Sequence, residues 1–127
     1  MARILLVDDE AEALLFLAEY VRSLRHEVAT AADGLEALEK AKAWKPHLVL
    51  LDVRMPRMDG ITALKKLKER NPDIAVLMIT AIREEGVAKE AMQFGAFDYV
   101  TKPVDLARLR MLVEFKLVEV AAEEDGS

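Results

Sequence analysis

Short apolar runs alternate along this chain with longer stretches in which apolar residues return every three or four positions. Ile4-Leu5-Leu6-Val7, Leu48-Val49-Leu50-Leu51, Ile74-Ala75-Val76-Leu77-Met78-Ile79 and Phe97-Asp98-Tyr99-Val100-Thr101 are the clearest runs, and Glu27–Ala31 offers a shorter one. Unbroken apolar runs bounded by polar residues mark strands buried on both faces, as in a parallel sheet. Between them lie helical patterns. Leu14, Leu17, Ala18, Val21 and Leu24 form one apolar stripe, Leu35, Leu38 and Ala41 a second, and Ile61, Leu64 and Leu67 a third. A fourth helix is expected from about Glu84 to Phe94, stopped by Gly95 as a left-handed cap, and a long fifth from about Asp105 to Ala121.

The boundaries carry their own chemistry. Asp33 suits an N-cap, with Glu36 placed for a capping box, and Asp59-Gly60 opens the third helix. Trp44-Lys45-Pro46 and Asn71-Pro72 act as stops. Five βα units with right-handed crossovers predict an α/β fold: a doubly wound five-stranded parallel sheet, flavodoxin-like in its order 2-1-3-4-5, with helices on both faces. The expected domain is 1–122, and 123–127 read as a frayed polar tail or the start of a linker.

Composition narrows this little further. A chain of 127 residues, 53% apolar, is one domain in size and can bury roughly two thirds of its unfolded surface. No cysteine is present, which removes disulfides and thiolate metal sites. The longest apolar run falls far short of the ~20 residues that span a bilayer, so no membrane association is expected. Met1-Ala2-Arg3 leads into the first strand-like run with no signal-peptide pattern, which suits a cytoplasmic location. A net charge of −5 without a basic block argues against direct nucleic-acid binding.

The strand ends change the picture. The first run leads into Asp8-Asp9, the second into Asp52, the third into Thr80 and the last into Lys102-Pro103. Ligands of open parallel sheets bind outside the carboxyl ends of the strands, so these residues converge on one rim. A single acid there is usually a helix cap. Two on one strand and a third on another crowd like charge, which a hard divalent cation relieves, and an all-oxygen site with few protein ligands favours Mg²⁺. Two carboxylates and a backbone carbonyl just after Asp52 would suffice. Alone, Thr80 is an ordinary strand residue and Lys102 a solvated one. Together with a metal they make a cradle for phosphoryl transfer, with Asp52 as a carboxylate nucleophile.

Four motifs carry a family resemblance: Val7-Asp8-Asp9-Glu10, Leu51-Asp52-Val53-Arg54-Met55-Pro56 followed by Met58-Asp59-Gly60, Ile79-Thr80-Ala81, and Gly95-Ala96-Phe97-Asp98-Tyr99-Val100-Thr101-Lys102-Pro103. In this order and spacing, over about residues 3–120, the chain resembles the response-regulator receiver domains of bacterial two-component signalling. The resemblance implies that Asp52 is the phosphoacceptor and that Asp9, Asp52 and the Arg54 carbonyl bind Mg²⁺, with Asp8 acting largely through water. It implies that Thr80 and Lys102 hold the phosphoryl group, that Pro103 follows a cis peptide, and that Thr80 and Tyr99 form the switch. It implies a phosphodonor partner, a histidine kinase or phosphotransfer protein, and a signalling role limited to self-phosphotransfer and slow autodephosphorylation. Arg54 and Ile82 match positions bordering the path of attacking water, where their size and polarity predict slow phosphoryl loss.

Two enzyme-like or carrier readings fit less well. Aspartate-nucleophile phosphatases of the haloacid dehalogenase type place a second Asp two residues after the nucleophile, where this chain has Arg54, and their acid pair follows the lysine. A flavodoxin-like electron carrier would need a Ser/Thr/Gly-rich loop after the first strand, and Asp8-Asp9-Glu10 stands there.

The last helix carries a second apolar face. Leu106, Leu109, Val113, Leu117 and Val120 should pack on the sheet, while Met111, Phe115, Val118 and Ala122 fall opposite. That second stripe predicts a homodimer through Met111, Phe115 and Val118. Leu112 stands where receivers of winged-helix regulators usually carry an arginine, so their charge-network dimer is not expected, and Gly95–Tyr99 looks more like receivers of σ54-dependent activators.

Overall fold

The computed structural model describes residues 2–126. Its elements alternate strictly: β1 Arg3–Val7, α1 Ala11–Ser23, β2 Glu27–Ala31, α2 Gly34–Trp44, β3 Leu48–Leu51, α3 Gly60–Arg70, β4 Ala75–Thr80, α4 Glu85–Gln93, β5 Asp98–Thr101 and α5 Leu106–Gly126. All strand pairs are parallel, and the five-stranded sheet has the order β2-β1-β3-β4-β5. Register is continuous across the centre, with Val7 opposite both Ala31 and Leu51, and Leu51 opposite Met78.

Side chains that alternate across the pleat split the interior into two cores. Leu5, Val7, Val49, Leu51, Val76 and Met78 face α2, α3 and α4, whose Leu38, Leu64, Leu67 and Ala91 close that side. Ile4, Leu6, Leu48, Leu50, Leu77 and Ile79 face α1 and α5, meeting Leu17, Val21, Leu109 and Val113. The edge strands β2 and β5 are only partly covered, which is why their sequences are less apolar than those of the three central strands.

Helix termini follow the expected capping chemistry with two departures. Asp33 accepts from the Glu36 N–H at 2.9 Å, and Asp59 accepts from Thr62 N–H at 2.9 Å. The capping box at Asp33 is half formed, because the Glu36 carboxylate pairs instead with Lys40 one turn on, at 3.3 Å. Leu35, expected in the stripe of the second helix, is 39% exposed, and the smaller Ala37 takes the buried position beside Leu38. Gly95 has φ +104°, the left-handed conformation that ends α4. The last helix continues through Gly126, so the backbone of the acidic segment 123–126 is helical where fraying was expected, while Ser127 lies outside the described residues.

Candidate functional site

Parallel strands of matched register deliver Asp8, Asp9, Asp52, Thr80 and Lys102 to one end of the sheet. Asp8, Asp52 and Thr80 are buried, at 4%, 7% and 1% exposure, whereas Asp9 is exposed. Carboxylate oxygens of Asp8, Asp9 and Asp52 lie within 4.8 Å of one another. The Lys102 ammonium donates to Asp8 Oδ2 at 2.6 Å and to Asp52 Oδ2 at 3.3 Å, and lies 3.7 Å from Glu10 Oε1. Burial disfavours this ammonium, but the hydrogen bond to Asp8 and the charges of Asp52 and Asp8 outweigh it and hold the lysine above its usual pKa.

Backbone contacts fix the acids in place. Asp52 Oδ1 accepts from the Val53 N–H at 2.7 Å, and Asp8 Oδ1 accepts from the Glu10 N–H at 3.0 Å. The Lys102 N–H donates to the Thr80 carbonyl at 2.8 Å, and the Lys102–Pro103 peptide is cis. Gly60 seats α3 against the same strand end: its N–H donates to Val53 O at 2.6 Å, and a Cβ there would lie 1.8 Å from the Asp52 carbonyl oxygen. Only glycine fits so close an approach.

Thr80 ends β4 and Tyr99 lies on the neighbouring β5. Thr80 Oγ1 accepts from the Ile82 N–H at 3.3 Å, and the Tyr99 hydroxyl donates to the Ile82 carbonyl at 2.7 Å. Burial, then the charges of Asp52 and Glu84, push the Tyr99 phenol above its ordinary pKa, so it remains a donor. The exposed Arg54 lines a cleft with Asp9, Met55, Pro56 and Asp59. Arg57, at the tip of that loop, donates through Nε and a terminal nitrogen to Asp33 Oδ2.

Sequence reasoning assigned no role to Glu10, Arg57 or Asp33 in this rim. Glu10 was legible as the next residue after the acid pair, but the Asp33–Arg57 contact joins loops far apart in sequence and leaves no local pattern.

The donor set fits a hard cation. Two carboxylates about 5 Å apart repel by about 3 kcal/mol at an effective dielectric of about 20. Three carboxylates against one ammonium leave two uncompensated negative charges, facing outward through the exposed Asp9. Clustered oxygens of this kind, open on one side, match the needs of Mg²⁺, which retains several waters.

Comparison with known proteins identifies the family. The response regulator receiver domain family matches residues 4–114. The chemotaxis protein CheY of Thermotoga maritima is 35% identical over 108 residues, 84% of this chain and 90% of that protein. A CheY-like receiver domain protein from Methanospirillum hungatei superposes with a TM-score of 0.93 at 29% identity, over 97% of this chain and 98% of that one. A CheX-CheY-BeF3-Mg complex from Borrelia burgdorferi matches with a TM-score of 0.85 at 35% identity, over 88% of this chain and 86% of that one. The chain spans only 42%, 24% and 27% of three longer regulatory proteins that it also matches. It belongs to the response regulator receiver domains of two-component signalling.

Proposed function

We propose that Asp52 is the phosphoacceptor of this receiver, taking a phosphoryl group from a histidine kinase or phosphotransfer protein. The observation that carries this reading is the approach of the Asp8, Asp9 and Asp52 carboxylates to within 4.8 Å, with Lys102 spanning Asp8 and Asp52. An Asp52 carboxylate oxygen attacks phosphorus, the bond from phosphorus to the donor's imidazole nitrogen breaks, and its electron pair returns to that ring. Lys102 and the Thr80 hydroxyl hold the transferred oxygens, which the strand ends support by presenting both groups at the same rim. Asp9, Asp52 and the Arg54 carbonyl would hold Mg²⁺, with Asp8 largely through water, and the ion supplies charge neutralisation.

Thr80 and Tyr99 then form the switch: phosphorylation draws Thr80 toward the phosphoryl group and Tyr99 follows, which changes partner binding. Autodephosphorylation is slow because Arg54 and Ile82 border the water path. The domain works in the cytoplasm, does not itself bind nucleic acid, and dimerises through α5. The described residues contain no helix long and apolar enough to cross a membrane.

Incubation with acetyl phosphate and Mg²⁺ tests the assignment. Intact mass should rise by one phosphoryl group in the parent, and stay unchanged in Asp52→Asn or when EDTA is present. Modification that persists in Asp52→Asn refutes it.

A further inference from the structure

Arg57 occupies a backbone conformation that bulky residues avoid. Its φ is +67°, in the left-handed region that L-residues with a Cβ disfavour, and its side chain is largely solvent-facing, so packing does not explain the geometry. What holds it is Asp33, whose carboxylate is buried at the start of α2. Asp33 Oδ2 accepts two N–H groups from the Arg57 guanidinium, while its Oδ1 caps α2 through the Glu36 N–H.

The two loops also meet beside this pair. A Cβ on Gly34 would fall 2.8 Å from the Met58 carbonyl oxygen and 2.9 Å from the Met58 Cβ, so the close approach depends on glycine. The loop after β2 and the loop after β3 are therefore clasped together. In the sheet, β1, which leads into Asp8 and Asp9, lies between those two strands, so the clasp joins the loops that flank it on either side. The clasped loop begins at Asp52 and contains Arg54, which lines a cleft together with Asp9.

We infer that Arg57 is a positioning residue: its contact with Asp33 latches the loop between Asp52 and α3, and the latch tightens binding of a divalent cation at the acid trio. The inference rests on the reading of that trio as the Mg²⁺ site. An exposed ion pair alone is worth little. Here one partner is buried and doubly bonded, and the contact opposes an unfavourable backbone state, so it acts by restricting a loop that would otherwise have to be ordered on binding.

Charge alone predicts a different outcome. Removing the Arg57 cation should strengthen attraction for a dication, and removing the Asp33 anion should weaken it. A latch predicts that both changes weaken binding and that the double change adds little.

Calorimetric titration of Mg²⁺ decides between them, using the parent, Arg57→Gln, Asp33→Asn, the double variant and Arg57→Lys at fixed ionic strength. The amide in Asp33→Asn retains an oxygen for the Glu36 N–H, and thermal unfolding in EDTA verifies that each protein is folded. Both single variants should raise Kd about 5–20-fold, toward the low end of losses seen when outer supports of a metal site are removed. The double variant should match the weaker single one, and Arg57→Lys should recover most of the loss. A parent Kd retained in both single variants, or tighter binding in Arg57→Gln, overturns the latch. A parent that binds no Mg²⁺ overturns the metal site itself, and the latch with it.

Discussion

Thr80 and Tyr99 are joined through one intervening residue: the Ile82 N–H donates to Thr80 Oγ1 at 3.3 Å, and the Tyr99 hydroxyl donates to the Ile82 carbonyl at 2.7 Å. The peptide groups of the loop after β4 thus connect a buried hydroxyl at the rim to a half-buried ring on β5. Any displacement of Thr80 toward a phosphoryl group must stretch or break this chain, which gives the proposed switch a physical route.

Tyr99→Phe removes the outer link and leaves the ring in place. Loss of one partly buried hydrogen bond should cost about 1 kcal/mol, read as a lower urea midpoint at unchanged slope. A midpoint equal to that of the parent would show that the hydroxyl bond contributes nothing to the resting state.

Gly60 offers a sharper test of how α3 is seated. A methyl group at this position would meet backbone atoms of Asp52 and Val53 at 1.8–2.8 Å, none of which can rotate away. Gly60→Ala should therefore displace the helix start and cost about 2–3 kcal/mol or more, with reduced acetyl phosphate labelling of Asp52. Urea unfolding and intact mass measure the two effects. Parent-like values for both would mean that α3 can slide without disturbing the strand end.

Asp33 gives the acid side of the stability profile a definite sign. The Glu36 N–H, then the Arg57 hydrogen bond, hold its carboxyl below the usual range despite burial. A carboxyl depressed in the folded state contributes stability that is complete above its unfolded pKa, about 4, and is lost as pH falls through the folded value. Asp33→Asn has no such group to titrate. Its urea midpoint should fall less steeply than that of the parent as the pH drops below the unfolded carboxyl pKa, about 4. Parallel profiles would remove Asp33 from the acid transition.

The sheet was legible because its central strands are buried on both faces, so Ile4–Val7, Leu48–Leu51 and Ala75–Ile79 could be apolar throughout. Asp8, Asp52 and Thr80 were legible for a related reason: each is the first polar residue after such a run. Leu35 was misplaced because apolar spacing alone admits either Leu35 or Ala37 beside Leu38, and the smaller Ala37 is the one fully buried. The helical backbone of 123–126 was missed because its residues have no apolar face, although extending an existing helix needs no new nucleus. Contacts such as Asp33–Arg57 lie beyond any local pattern, since they arise only once two crossovers bring separate loops to the same edge.

The outer face of α5 carries the last prediction. Met111, Phe115 and Val118 are 62%, 67% and 69% exposed, while Leu109 and Val113 on the inner face are fully buried. With Ala122 the outer residues follow spacings of four, three and four, the seam of a paired helix. Such a seam is complementary to itself, which favours a second copy of the chain over an unrelated partner. Burying one aromatic side chain removes about 150–250 Å² of surface from water, so Phe115→Glu should weaken self-association by more than about tenfold. Sedimentation across a concentration series should show the parent moving toward a dimer and the variant remaining a monomer. Monomers in both at every concentration would leave this face without a role in self-association.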